Sequence, residues 1–274
     1  MILKLIVVGV LGLLAGGVVN ALADDLPQRL RPSLPHYPDH SRRPLAAWLG
    51  ILAFVTGRRA SSTGSRLSWR YPVTELGTAA LMLLTVIVTE NDPQVSNLQQ
   101  IFYLIYMAIF ALIAVIDIEH RLILFVVVIP SAAVALLDAL LTPVNHKPDI
   151  GTALVGGLLG FGVFFVLYLG GILFSYGMAK MRGYELPEVA FGYGDVMLST
   201  LCGLILGWQS MVIAMFVTVF LGALGAVIYL LVRGMAGRRY QMFTPLPYGP
   251  YILIGTLLLL LFSDGVRQFI WSVA

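Results

Sequence analysis

Residues 101–141 read IFYLIYMAIFALIAVIDIEHRLILFVVVIPSAAVALLDALL. Two apolar runs flank one charged knot, Asp117-Ile118-Glu119-His120-Arg121. Each run approaches the ~20 residues that a helix needs to cross a bilayer. A single long helix would hold Asp117, Glu119, His120 and Arg121 at membrane depth, where charge is expensive. The knot therefore reads as a tight turn at the membrane surface, with one span on each side, 99–118 and 121–142.

Outward from this pair, the same reading gives six further spans: 2–23, 72–90, 150–177, 195–208, 209–232 and 249–263. The segment 195–208 is short, and only Gly207-Trp208-Gln209 separates it from the next. The expectation is an all-α, polytopic membrane helix bundle of about eight transmembrane helices. It divides into a first span (1–23), a polar loop (24–71) and a seven-span core (72–274). Composition agrees. The chain is 59% apolar and 11% charged, whereas soluble domains carry about 45–50% and about 25%. An ordinary soluble enzyme, a disordered chain and a nucleic-acid-binding module are excluded on that ground, and the lipid bilayer becomes the expected surrounding. The single cysteine, Cys202, excludes intrachain disulfides and cysteine-based zinc or iron–sulfur sites.

The loop 24–71 holds Pro27, Pro32, Pro35, Pro38 and Pro44 among many arginines. Its apolar piece Leu45–Val55 is too short to span and reads as lying at the interface or packing on the bundle. His36 and His40 are spaced like a helical metal pair, but Pro38 lies between them. Proline breaks a regular helix there, so the segment reads as solvated loop and no metal is expected.

Orientation follows from the positive charges. With the N-terminus outside, the inside segments are 24–71, 118–121, 178–194 and 233–248. They carry 14 of the 17 lysines and arginines; Lys4, Lys147 and Arg267 fall outside. That bias matches the positive-inside rule. Lys4, the apolar run and Ala21-Leu22-Ala23 also resemble a cleavable signal peptide. The arginines that follow pull toward the cytoplasm, so the segment reads as a retained span.

Four acids lie in or beside the apolar runs: Glu75, Asp117, Asp138 and Asp195. Asp138 reads as a solvated helix end. Glu75 reads either as an acid favoured by the positive end of a helix or as a functional group that contacts substrate. Asp117 and Asp195 both fall near the arginine-rich face. Two carboxylates in contact share a proton; the ionised one can take a proton from attacking water while the other donates to a carbonyl oxygen. Spacing alone leaves open that they are two unrelated acids at helix ends. Gly192 and Gly194, just before Asp195, lack side chains and would let a substrate backbone approach. Glycine is common in membrane helices generally, and no GxxxxGK[ST] phosphate loop follows.

Taken in order, several motifs resemble the bacterial type IV prepilin peptidases, which are GxGD-type membrane aspartyl peptidases. Leu14-Ala15-Gly16-Gly17-Val18-Val19-Asn20 with Leu26-Pro27 is similar to the family's first-span element. Arg70-Tyr71-Pro72-Val73-Thr74-Glu75 resembles its Arg-Tyr-Pro-x-x-Glu. Asp117-Ile118-Glu119-His120 resembles its Asp-x-x-His, and Gly192-Tyr193-Gly194-Asp195 its GxGD. Pro247-Tyr248-Gly249-Pro250-Tyr251 resembles its Pro-Phe-Gly-Pro-Phe.

The resemblance implies that Asp117 and Asp195 are catalytic. It implies cleavage of the basic leader of prepilins or pseudopilins after a glycine, at the cytoplasmic face of the bacterial inner membrane. No cofactor is implied for proteolysis; S-adenosylmethionine is implied if methylation of the new N-terminus is retained. Helix dipoles assign Asp195, at a helix start, as the resting base and Asp117, at a helix end, as the acid. Pro247 and Gly249 read as lining the substrate cleft or as a plain helix start, and His120 as tuning Asp117 or as facing water.

Three departures stand out. The paired Cys-x-x-Cys motifs of many members are missing from 24–71, Ile123-Leu124-Phe125 replace the usual residues after Asp-x-x-His, and Met197 replaces a lysine. They weigh more against methylation than against cleavage. The readings that compete with a peptidase are a proton-coupled transporter, which uses intramembrane acids as a relay, and an inactive membrane scaffold.

Overall fold

The computed structural model describes residues 1–90, 92–93, 95–142, 148–182, 192–235 and 248–273. Among them the ordered elements are helices: α1 (Ile2–Asp25), α2 (Gly50–Val55), α3 (Arg70–Thr89), α4 (Asn97–His120), α5 (Phe125–Leu141), α6 (Ile150–Arg182), α7 (Tyr193–Met235) and α8 (Gly249–Val273). Five helical stretches are long and apolar enough to cross a membrane: Ile2–Gln28, Arg70–Thr89, Asn97–His120, Ile150–Gly177 and Tyr193–Leu231. Phe125–Leu141 and Gly249–Ser263 are apolar but shorter. This is an all-α membrane bundle, and the chain falls into two units, Met1–Val127 and Val128–Ala274.

In the first unit α1, α3 and α4 pack on one another. The α1–α3 contact is close because Gly12 and Gly16, one turn apart, face α3. A side chain on Gly12 would meet Ala79 Cα at 2.5 Å, and one on Gly16 would meet Glu75 Cα at 2.5 Å. Small residues at this spacing let membrane helices approach where no hydrophobic force drives them together.

The charged knot is placed differently from the sequence expectation. Helix α4 runs through Asp117, Ile118 and Glu119 to His120. Arg121 ends it in the left-handed region (φ 54°), donating its amide to Asp117 O at 2.8 Å. The turn is therefore Arg121–Leu124, and α5 starts at Phe125. The helix tolerates its charged last turn because Glu119 finds a cation elsewhere in the unit, Arg70 Nη1 at 2.6 Å.

The loop between α1 and α3 is folded. Two tight turns close through the isolated bridges His36↔Arg42 and Ala60↔Arg66. A small core of Tyr37, Ala47, Ala53, Leu67 and Tyr71 lies beneath them. The apolar piece forms α2 over its second half and packs on α3, with Leu45, Leu52 and Val55 left exposed.

In the second unit α7 packs on both α6 and α8. The α6–α7 seam is glycine against glycine: a Cβ on Gly156 would lie 2.3 Å from Gly203 O, and one on Gly203 would lie 2.1 Å from Gly156 O. At Gly207 the backbone of α7 leaves the helical region (φ 70°, ψ 167°). This break falls where the sequence separates two spans. The part before it, 193–206, rises only about 21 Å, less than the ~30 Å hydrocarbon core. Asp138 is 8% exposed, not solvated, and its carboxylate accepts the Thr142 hydroxyl one turn later in α5.

Candidate active site

Asp117 occupies the last turn of α4 and is 5% exposed. Ile113 and Ile116, both buried, precede it on the helix. Glu119 and His120 complete the turn and open onto a cavity of about 430 Å³. Across the cavity stand Asp24 from the end of α1 and Arg70 and Tyr71 from the start of α3.

These groups form one ionic network. Arg70 spans Asp24 and Glu119 through separate guanidinium nitrogens. The Tyr71 hydroxyl donates to Asp24 Oδ2 at 3.0 Å. Arg43 lies over the Tyr71 ring at 4.5 Å and reaches Asp24 at 3.8 Å. Two cations and a hydroxyl thus converge on the Asp24 carboxylate, which fixes the start of α3 against the ends of α1 and α4. The sequence carried a partial signal of this arrangement, the Arg70-Tyr71-Pro72 element, but nothing that tied it to Asp24 or Glu119.

Asp195 lies in the second unit, in the first turn of α7. The Gly192 amide donates to Asp195 Oδ2 at 3.1 Å, and the Asp195 amide donates to Gly192 O at 3.1 Å. This reciprocal pair caps the helix start, where the free amides and the positive dipole end favour an anion. Gly192 is exposed and Gly194 half-buried. The loop residue Phe191 is outside the described residues.

Aromatic rings surround this end of the unit. Tyr193 meets Tyr168 edge-on at 5.7 Å, and Tyr248 lies 6.4 Å from Phe164 and 6.1 Å from Tyr251. Burial, and then the Asp195 charge, push the Tyr248 hydroxyl above its ordinary value. Tyr248 is therefore near enough to sense Asp195, a neighbour that the sequence did not reveal. Gly249 and Pro250 begin α8, with the Tyr248 carbonyl accepting the Tyr251 amide at 3.1 Å. Pro247 is outside the described residues.

Glu75 is fully buried on α3. Its Oε1 accepts the Gly50 amide at 2.5 Å and Asn20 Nδ2 at 3.4 Å; its Oε2 accepts the Ile51 amide at 2.9 Å. The Asn20 amide group also donates to Tyr71 O at 2.9 Å. Glu75 thereby fastens α1 and α2 onto α3. Both nitrogens of His36 face protein oxygens, Tyr37 O and Asp25 Oδ1, each at 2.8 Å. Among the described residues no three His, Cys, Asp or Glu side chains group as a metal site would require.

Residues 104–227, which contain both Asp117 and Asp195, match the model of the type IV leader peptidase family. The chain is similar to that family over this stretch, a little under half of its length. It is 27% identical over 229 residues to a prepilin leader peptidase/N-methyltransferase of Aeromonas salmonicida, covering 84% of this chain and 69% of that one. A protein of the same name from Pseudomonas putida is 28% identical over 283 residues, 94% of this chain and 90% of that one. A third, from Bacillus subtilis, is 27% identical over 233 residues, 84% and 81%. No solved structure matches the chain.

Proposed function

We propose that this chain is a type IV leader peptidase, an intramembrane aspartyl endopeptidase that removes the leader of type IV prepilins or pseudopilins after a glycine. The observation that carries the reading is that the family match encloses two acids on helix ends. Asp117 is in the last turn of α4 and Asp195 in the first turn of α7. In this reading the two act together at the cytoplasmic face of the inner membrane, on the side that holds most of the arginines.

Asp195 is the resting base. The start of α7 and the Gly192 amide stabilise its negative charge, and it takes the proton of the attacking water. Asp117 donates to the scissile carbonyl oxygen. When the tetrahedral intermediate collapses, the proton held by Asp195 passes to the leaving amine and the roles exchange. Gly192 and Gly194 leave room for the substrate backbone beside Asp195, and the Pro247-Tyr248-Gly249 motif, whose Pro247 lies outside the described residues, is assigned to the substrate side by the resemblance. Glu75 acts on the substrate side indirectly, through the α1–α3 contact it secures.

Methylation of the new N-terminus would draw its methyl group from S-adenosylmethionine. In the 430 Å³ cavity both carboxylates, Asp24 and Glu119, already bind Arg70. That arrangement leaves no free carboxylate in this cavity for a second cation such as a sulfonium; the proposal here is for cleavage, and methylation is a separate activity read by mass spectrometry of the processed N-terminus with a labelled methyl donor.

The test is co-expression with a prepilin, read by gel mobility of the substrate. Asp117→Asn and Asp195→Asn each leave the prepilin unprocessed while the variants accumulate in the membrane at wild-type level. Full processing by either variant overturns the aspartyl mechanism.

A further inference from the structure

The loop between α1 and α3 and the first residue of α3 use their arginines in two ways. Arg43 is buried against Tyr37 and Tyr71 and reaches Asp24. Arg59 lies over Phe54 at 4.7 Å and donates to Leu67 O at 2.7 Å. Arg70 joins Asp24 to Glu119. These three hold the fold. Arg31 and Arg42 are exposed, and neither is within 4.0 Å of a carboxylate among the ion pairs of the described residues.

Arg31 and Arg42 line one cavity of about 520 Å³, together with His36, His40, Asp25 and Ser33. A neutral imidazole has only one N–H. His36 faces an acceptor at each nitrogen, Tyr37 O and the Asp25 carboxylate, an arrangement that favours the protonated ring, in which both nitrogens donate. Asp25 is already engaged twice, by His36 and by the Ser33 amide at 2.7 Å. The cavity wall therefore carries two arginines and an imidazole placed to favour its cation, against one carboxylate that is already bonded. Leu30 and Leu34 are also in the lining, at 44% and 68% exposure. The apolar stretch of α1 ends at Gln28, just before Leu30.

We infer that this cavity binds a phosphate-bearing anion, and that the anion is the headgroup of an acidic phospholipid. Planar guanidinium groups suit phosphate oxygens. A basic pocket beside the end of a membrane span, rimmed by exposed leucines, presents cations to the headgroup and apolar side chains to the acyl boundary. Its volume falls within the ~300–1,000 Å³ of ligand pockets. The site shares no residue with the aspartate pair and stands whether or not the chain cleaves prepilins.

The test uses the full chain, purified in neutral detergent and read by native mass spectrometry, with phosphatidylglycerol, phosphatidylcholine or inorganic phosphate added. Wild type retains phosphatidylglycerol over phosphatidylcholine. Arg31→Gln/Arg42→Gln binds it about twenty-five-fold more weakly, at roughly fivefold per arginine near an anionic headgroup. Both side chains are exposed, so this variant folds. Arg29→Gln/Arg58→Gln, exposed and outside the cavity, binds like wild type. If inorganic phosphate displaces the lipid from wild type, the phosphate site is upheld and a soluble anion is its occupant; if the lipid stays, the headgroup is. No preference for phosphatidylglycerol in wild type, equal binding by the Arg31/Arg42 variant, or an equal loss in the Arg29/Arg58 variant overturns the site.

Discussion

Replacing Glu75 by alanine should open the loop before it unfolds the bundle. Glu75 is fully buried and receives two backbone amides of α2, Gly50 and Ile51, besides Asn20 of α1. Alanine leaves both amides without their acceptor. Each orphaned buried donor costs about 1–3 kcal/mol, so the latch is worth about 2–6 kcal/mol. Water cannot easily repair the loss, because the backbones are in contact here. A Cβ on Gly50 would lie 2.5 Å from Tyr71 Cβ, and one on Gly16 would lie 2.5 Å from Glu75 Cα. For a chain of this size each kcal/mol lowers the melting temperature by about 2–4 °C, so a fall of about 10 °C is expected. Glu75→Gln keeps one acceptor and should lose about half as much. The assay is thermal unfolding of the detergent-purified protein, paired with limited proteolysis between α2 and α3. An alanine variant that melts with wild type and gains no cleavage there would refute the latch. Unchanged melting with lost prepilin cleavage would instead make Glu75 a substrate contact.

Gly156→Val drives a side chain into the Gly203 carbonyl at about the 2.3 Å of a Cβ; overpacking of this kind costs at least about 1–3 kcal/mol, and the variant should give little monodisperse protein in size-exclusion chromatography. Burial alone would lower the His36 pKa, but Asp25 and the Tyr37 carbonyl outweigh it and raise it above 6.5. Its stabilisation is then complete below pH 6.5 and is lost as pH rises through the higher folded value. Melting temperature should fall across that window in wild type and stay flat in His36→Gln. Asp39 accepts the hydroxyls of Ser41, Ser61 and Thr63, and those bonds hold its carboxyl well below the usual range. Asp39→Ala should make the 59–66 turn protease-sensitive without altering the melting of the helices.

Hydropathy made the long helices legible because lipid allows a spanning backbone few forms other than a helix. The Gly207 break was legible too, since Gly207-Trp208-Gln209 interrupts an apolar run at the one residue type that readily takes φ 70°. The end of α4 was not. Its charged turn stays helical because Arg70, 49 residues away, neutralises Glu119, and no local pattern encodes a partner that distant. Glu75 poses the same difficulty: its position at a helix start suggested dipole or substrate, whereas its bonds go to α1 and α2. Asp117 and Asp195 could be placed on helix ends from sequence because apolar runs stop beside them. The neighbour of Asp195, Tyr248, comes from a segment more than fifty residues later and left no mark in spacing.

The departure in the first loop has a physical account in the same terms. Many of the type IV prepilin peptidases that the sequence resembles carry paired cysteines there; this chain has none, and a loop rich in proline and arginine has little apolar surface with which to fold. Its two turns are instead joined by one carboxylate. Asp39 takes the Ser41 amide and hydroxyl from its own turn and the Ser61 and Thr63 hydroxyls from the other. Below it, Tyr37 sends its hydroxyl to Arg58 O at 2.8 Å and stacks under Arg43. Arg43 then ties the loop to α3 by lying over Tyr71, Arg59 closes the loop on itself at Leu67 O, and Arg70 joins the start of α3 to Asp24 of α1. Because each tie spends a cation or a hydroxyl on the interior, the arginines left outside are those without a structural partner. Two of these fall on one cavity at the end of α1, so the loop's positive charge, which the sequence reads as a topology signal, also marks a place where an anion can be held.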